Sequence, residues 1–310
     1  MENWDLIIIG GGPAGLTAGI YAGRSGLKTL VLEEKMPGGE TAVAPWIENY
    51  PGFEHISGPE LVEKMVMHCK KFGVQINELE KVASLDLKGE KKIVKTDKAT
   101  YSALGVIIAT GTHHRLLNAP GEDKFQGRGV SYCALCDGAF FKGKKVIVVG
   151  GGNSAAMSAC YLSGIAAEVK LLHRRDQLRA EAAYINDLKK ENIEFLWNSE
   201  VKEIRGEGVV NSIVLQNNKT REIKELNVDG VFVQIGETPN TQFVTEAGVE
   251  VDKKGYIIVD AHHKTNIPGV FAAGDVTNGP VKQIGTAVGQ AIVAATEAFG
   301  YVKRPYYYRE

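Results

Sequence analysis

At 310 residues, 44% of them hydrophobic and 24% charged, the chain is long enough for two domains with cores of their own and gives no case for a disordered or fibrous protein. Its 36 Lys and Arg nearly cancel its 37 Asp and Glu, so no long-range field attracts nucleic acid or an anionic membrane, and neither is expected as a partner. The cysteines Cys69, Cys133, Cys136 and Cys160 are too few for a disulfide-stapled scaffold and lack the second CxxC pair of a four-thiolate zinc site, a pattern that fits a reducing compartment.

Leu6 to Gly23 is uncharged and reaches the length of a membrane span. Gly10, Gly11, Gly12, Pro13, Gly15 and Gly19 interrupt it, and Glu2 and Asp5 stand where a signal peptide would be basic, so a cytoplasmic protein is expected. Asp5 to Ile9 reads instead as a buried parallel strand, followed by a glycine turn, a helical pattern through Tyr21 and a strand from Lys28 to Leu32. Gly58 to Phe72 places Leu61, Val62, Met65, Val66 and Cys69 at helical spacing, which makes Cys69 a packing residue. Gly105 to Thr112 is an apolar strand ending in a glycine turn. The strand, glycine turn, helix, strand order then returns at Lys145 to Val149, Gly150 to Gly152, Ala155 to Leu162 and Val169 to Leu172, with Cys160 one turn from Ala156 and packing likewise. Gly269 to Asp275 is a further strand with a glycine turn. The expected fold class is therefore α/β, with two Rossmann-like dinucleotide-binding domains. The second is inserted into the first near Asn118-Ala-Pro-Gly and leaves near Glu237-Thr-Pro-Asn-Thr, two polar, proline-containing stretches suited to act as hinges.

The chemistry rests on three motifs. Gly10-x-Gly12-x-x-Gly15 lets the backbone approach a pyrophosphate at a helix N-terminus, and Glu33 ends the next strand where a carboxylate accepts from a ribose hydroxyl. Gly150-x-Gly152-x-x-Ala155 repeats the pattern, but its second strand ends in His173, Arg174 and Arg175, with Arg179 one turn on. Guanidiniums at that place suit a ribose phosphate and favour NADPH over NADH; the alternative is a solvated basic face whose arginines pair with Asp176 and Glu181. Cys133-Ala134-Leu135-Cys136 can cycle between dithiol and disulfide, whereas zinc would need two more ligands, and His113, His114 and His173 are not spaced to supply them; no metal is expected. Asp137 is either a proton donor or a helix cap.

With these residues in place, the chain resembles the low-molecular-weight thioredoxin reductases over nearly its whole length. The likeness rests on GGGPAG from Gly10, ENYPG from Glu48, ATG from Ala109, GRGVSYCALCD from Gly127, GGGNSA from Gly150, HRRDQLR from His173 and GVFAAGDV from Gly269. It implies an FAD-binding domain at 1–117 and 243–310, an NADPH-binding domain at 118–242 that carries the redox pair, a homodimer, and a thioredoxin-like protein as electron acceptor. It further implies that FAD is bound by Gly10, Gly12, Pro13, Ala14, Gly15, Glu33, Asn49, Gly111, Gly274, Asp275 and Gln283. NADPH falls to Gly150, Gly152, Asn153, Ser154, Ala155, His173, Arg174, Arg175 and Arg179. By the same resemblance Cys136 faces the flavin, Cys133 attacks the partner disulfide and Asp137 protonates the leaving thiolate.

Three positions depart from the family's common pattern. Met157 replaces a Glu near the nicotinamide, Lys282 replaces an Arg before Gln283, and Glu40 stands where Gln often follows the glycine pair. Met157 keeps alive a reading in which a deazaflavin or ferredoxin replaces NADPH as donor, and the arginines argue against it. A flavin-binding redox sensor without turnover is the alternative outside enzymes. The sequence does not name the partner, and Tyr306, Tyr307 and Tyr308 carry no interpretable signal.

Overall fold

A computed structural model describes residues 2–44, 47–191 and 193–303; the terminal tyrosines lie outside them. The chain forms two compact units, Met1–His113 with Thr238–Glu310, and His114–Glu237. The crossings fall a few residues before Asn118 and Thr241, inside the short strands Thr112–His114 and Glu237–Pro239. Of the two stretches singled out as hinges, Glu237-Thr-Pro-Asn-Thr begins as strand, whereas Asn118-Ala-Pro-Gly lies outside any strand.

In the first unit, Gln75–Asn77, Thr29–Leu32, Glu2–Ile9, Thr100–Ile108 and Val270–Ala272 lie side by side in parallel, extended by the antiparallel pair Val82–Asp86 and Lys92–Thr96. The strand expected from Asp5 starts at Glu2, and the one expected at Gly105 to Thr112 runs Thr100–Ile108, because pairing at the sheet end recruits flanking polar residues that carry no apolar signal. Register fixes where the turns emerge. Ile9 lies opposite both Leu32 and Ile108, and Ile108 lies opposite Ala272, so Gly10, Glu33, Ala109 and Ala273 all leave the sheet at one carboxyl edge. That edge is where open α/β sheets bind ligands. Helix Pro13–Arg24 packs against Gly58–Lys71 on one side and Ile284–Lys303 on the other. The last helix buries Ala287, Ala291, Ala294, Ala295 and Ala298, small side chains that permit close approach. Cys69 is wholly buried beside Gly19, and burial pushes its thiol up to about 12, as a packing role requires. Among the described residues no helix is long and apolar enough to cross a membrane; Leu6 to Gly23 is divided between a strand and a helix.

The second unit repeats the plan with a parallel sheet in the order Ile193–Trp197, Glu168–His173, Lys145–Gly150, Gly230–Gln234, Val130–Ser131. Gly150 lies opposite Gln234, and Phe232 opposite Ser131, so the segment leading to Cys133 leaves at the same edge as the second glycine turn. A three-stranded antiparallel sheet, Ser199–Glu207, Val209–Asn217 and Ile223–Asn227, packs over it through Val201, Ile204, Val210, Ile213 and Leu215.

Candidate active site

At the first unit's carboxyl edge, Gly10 has φ +106° and its α-carbon abuts the Ala109 carbonyl, so any side chain there would be strained and would collide. The Gly11 N–H donates to Glu33 Oε2 at 2.6 Å and the Lys35 N–H to Oε1 at 2.8 Å. The carboxylate is thereby held at the turn with acceptor capacity left for a ribose hydroxyl. Helix Pro13–Arg24 has no side-chain cap, and the space beyond Gly12 is open. The turn at Gly38 and Gly39 closes one flank through Gly38 N–H to the Gly11 carbonyl at 2.8 Å, with Glu40 exposed beyond it. Gly274 lies against Ala14 and is fixed by its N–H to Gln290 Oε1 at 2.8 Å. Lys282 places its ammonium on the carbonyls of Asp275 (2.8 Å) and Thr277 (2.5 Å), so in this chain a lysine staples the loop behind Asp275. Asn49 Nδ2 donates to Gln283 Oε1 at 3.2 Å, joining two predicted flavin residues that are 234 apart in sequence. An open turn, a bare helix N-terminus and an anchored carboxylate fit a dinucleotide such as FAD.

Asn240 carries no motif yet organises this edge. Its amide donates to the Thr110 carbonyl at 2.8 Å, its backbone N–H to Gly111 at 3.1 Å, and its carbonyl accepts from Thr110 Oγ1 at 2.9 Å. Only the position of Gly111 as a turn glycine, φ +62°, hinted that something must hold it.

In the second unit, helix Asn153–Ser163 also begins without a side-chain cap, facing open space at Gly152. The Arg179 N–H donates to the Gly151 carbonyl at 2.6 Å and ties the arginine loop to the glycine turn. Arg174, Arg175 and Arg179 line a cavity of about 540 Å³ together with Asp176, Asn198, Asn218 and Lys219. His173 is instead buried with its imidazole against Gly151; burial and then the Arg179 charge push its pKa down, so it is neutral near pH 7. The solvated-face alternative had Asp176 and Glu181 pairing with the arginines. Among the described residues they do not: Asp176 pairs with Lys219 at 2.8 Å, and Glu181 exchanges two hydrogen bonds with Asn153 at 2.8 and 2.9 Å. The free guanidiniums, the uncapped helix and the cavity fit a phosphorylated dinucleotide such as NADPH. Ser154 is exposed, Ala155 is wholly buried as the packing position requires, and Met157 is exposed.

Cys133 and Cys136 are joined in a disulfide, with Cα atoms 5.3 Å apart. Cys133 caps the short helix Ala134–Asp137, its Sγ accepting from the Cys136 N–H at 3.1 Å; Cys136 is exposed and Cys133 half-buried. Asp137 is the last residue of that helix, so it does not cap its start. Ser131 Oγ accepts from the Cys133 N–H at 3.1 Å and donates to Asp137 Oδ2 at 2.6 Å. Burial pushes the Asp137 carboxyl up, and the Ser131 hydrogen bond opposes the rise without cancelling it. Tyr132 stacks on His114 and donates to Glu122 at 2.9 Å, while Gln234 Nε2 donates to the Tyr132 carbonyl at 2.8 Å. The redox turn is thereby fastened to the strand beside the glycine turn.

Residues 4–291 match the family model described as pyridine nucleotide-disulphide oxidoreductase. A thioredoxin reductase of Bacillus subtilis (strain 168) is 44% identical over 302 residues, 97% of this chain and 95% of the relative. A 34.2 kDa protein in the rubredoxin operon of Clostridium pasteurianum is 43% identical over 302 residues, 97% of this chain and 98% of its own length. The crystal structure of thioredoxin reductase from Streptococcus pyogenes MGAS5005 superposes with a TM-score of 0.94 at 43% identity, covering 98% of this chain and 99% of that one.

Proposed function

Because the chain belongs to the pyridine nucleotide-disulphide oxidoreductase family, we propose that it is a thioredoxin-disulfide reductase, moving electrons from NADPH through FAD to the Cys133–Cys136 disulfide and on to a thioredoxin-like protein. The observation that carries this reading is a closed disulfide beside the half-buried Asp137, whose carboxyl burial pushes up, at the same sheet edge as a glycine turn and an arginine cavity. The unit Met1–His113 with Thr238–Glu310 is the FAD-binding domain, and His114–Glu237 the NADPH-binding domain. Bound FAD supplies a two-electron carrier between a nicotinamide hydride and a disulfide. Glu33 would hold its ribose and the helix at Pro13 its pyrophosphate. Two electrons and a proton open the Cys133–Cys136 bond. Cys133 as thiolate then attacks the partner disulfide and forms a mixed disulfide, and Asp137 protonates the departing partner thiolate. Cys136 attacks Cys133 in turn, restoring the internal disulfide and releasing the partner as a dithiol. A cytoplasmic homodimer accords with the family resemblance, and the unbridged Cys69 and Cys160 accord with a reducing compartment.

Anaerobic titration of the purified, FAD-loaded protein with NADPH should bleach the flavin, and adding thioredoxin should turn this into steady NADPH oxidation. Failure to take up FAD, or flavin reduction without thioredoxin turnover, would overturn the proposal; the second result would favour a redox sensor.

A further inference from the structure

The arginine cavity contains an opposing charge whose handling nothing in the motif foretells. Among the residues lining it, Asp176 is the single carboxylate, set between Arg175 and Arg179 in the same loop. An ionised carboxylate there would repel a phosphate or occupy the guanidinium forks that a phosphate needs. Its partner arrives from another element. The turn between Val209–Asn217 and Ile223–Asn227 is shaped by Asn217 Oδ1, which accepts from the N–H groups of Lys219 (2.9 Å) and Thr220 (3.0 Å). That turn is bonded to the arginines' own segment: Asn218 Nδ2 donates to the Arg174 carbonyl at 3.3 Å, and the Asn218 N–H to the Asn198 carbonyl at 2.6 Å. The Asn198 N–H donates in turn to the Arg175 carbonyl at 3.1 Å. Lys219 is thus delivered to Asp176 Oδ2 at 2.8 Å by a turn hydrogen-bonded to the arginines' own backbone.

We propose that Lys219 is a specificity-determining residue for 2′-phosphorylated nucleotides, acting by masking Asp176 so that the guanidiniums of Arg174, Arg175 and Arg179 face the ligand alone. The proposal rests on the arginine cavity being a phosphate site. Both members of the pair are more than half exposed, so the ion pair adds little to folding and its loss registers in binding. Lys219 also holds the Asp176 carboxyl below its ordinary range, as an ion-paired carboxylate requires.

The test is calorimetric titration of the FAD-loaded full chain with 2′,5′-ADP and with 5′-AMP, which reads binding without hydride transfer. Lys219→Met should weaken 2′,5′-ADP about five- to tenfold, the scale of one unit-charge interaction at contact distance across water, and 5′-AMP less than about twofold. Lys219→Arg should hold wild-type affinity. The decisive variant is Lys219→Met with Asp176→Asn, which should recover the 2′,5′-ADP affinity to within about twofold. Unchanged affinity in Lys219→Met overturns the proposal, and so does a double variant as weak as the single one, which would make the lysine a direct phosphate contact. Arg179→Ala separates the levels: if it too leaves 2′,5′-ADP binding intact, the phosphate reading of the cavity fails first.

Discussion

Gly151 is the unspecified residue of the second glycine fingerprint, yet the structure makes it one of the most constrained positions in the second unit. A β-carbon built on it would enter the imidazole of His173, which is only 5% exposed. Gly151→Ala should therefore cost about 1–3 kcal/mol by overpacking. At roughly 2–4 °C per kcal/mol, that is a drop of several degrees in Tm. His173→Ala alone should cost about 2–4 kcal/mol by excising a buried ring. The two changes relieve each other, because the alanine methyl of one fills part of the space the other vacates. The double variant should then be more stable than the sum of the singles predicts by about 1 kcal/mol or more. The Gly151 carbonyl also accepts the Arg179 N–H at 2.6 Å, so displacing this turn drags the arginine with it. Gly151→Ala should raise KM for NADPH about tenfold, the loss of one charge-assisted contact, and KM for NADH far less. Thermal unfolding of the four proteins with steady-state kinetics on both dinucleotides measures all of this. Additivity within about 0.5 kcal/mol, or equal changes for NADPH and NADH, would refute the argument.

Removing the Ser131 hydroxyl withdraws the hydrogen bond that favours ionised Asp137, so Ser131→Ala should raise that carboxyl further. An acid must be protonated to act, and the alkaline limb of the disulfide-reduction profile should move to higher pH; a move to lower pH would exclude Asp137 as the acid. Cys136→Ser should accumulate a mixed disulfide between Cys133 and a thioredoxin lacking its resolving cysteine, visible by mass spectrometry, whereas Cys133→Ser with the same partner should not; trapping through Cys136 reverses the roles. Asn240→Ala removes the clamp on Thr110 and should weaken FAD retention about tenfold while Tm falls only a few degrees, read by flavin fluorescence on dilution. FAD affinity equal to wild type would show that the clamp serves the crossing alone.

What could be read from the sequence was what is written in adjacent residues. A glycine turn opens on its own helix, a strand on its own apolar run, and CxxC closes on itself, so both nucleotide units and the redox pair were visible before any folding. What could not be read is held across distance. Thr110 and Asn240 are 130 residues apart and Asp176 and Lys219 are 43 apart, and although Thr110 and Asp176 sit inside motifs, their partners Asn240 and Lys219 have no local pattern to announce them. The antiparallel strands that extend the first sheet and cover the second escaped for a different reason. Their half-exposed faces are rich in Lys and Glu, as in Glu200, Lys202, Glu203 and Arg205, which dilutes the alternation that would mark them. The helix at Ile284–Lys303 was hidden by its alanines, whose small contrast with their neighbours gives a weak stripe even though they are buried where it packs against Pro13–Arg24.

His173 shows why even a legible motif divides its labour. Read in sequence, His173, Arg174 and Arg175 form one basic run aimed at one phosphate. In the sheet, His173 is the last residue of its strand, paired with Trp197, and its side chain goes into the core. Arg174 and Arg175 lie past the strand end, free of the pleat, and turn outward to the cavity. A buried imidazole among three guanidiniums could not carry a fourth positive charge without large cost, and its depressed pKa records that it does not. The histidine therefore belongs to the glycine turn beneath the site, setting the height of Gly151 and through it of Arg179, while the charge that balances the loop comes from Lys219, a residue outside the motif.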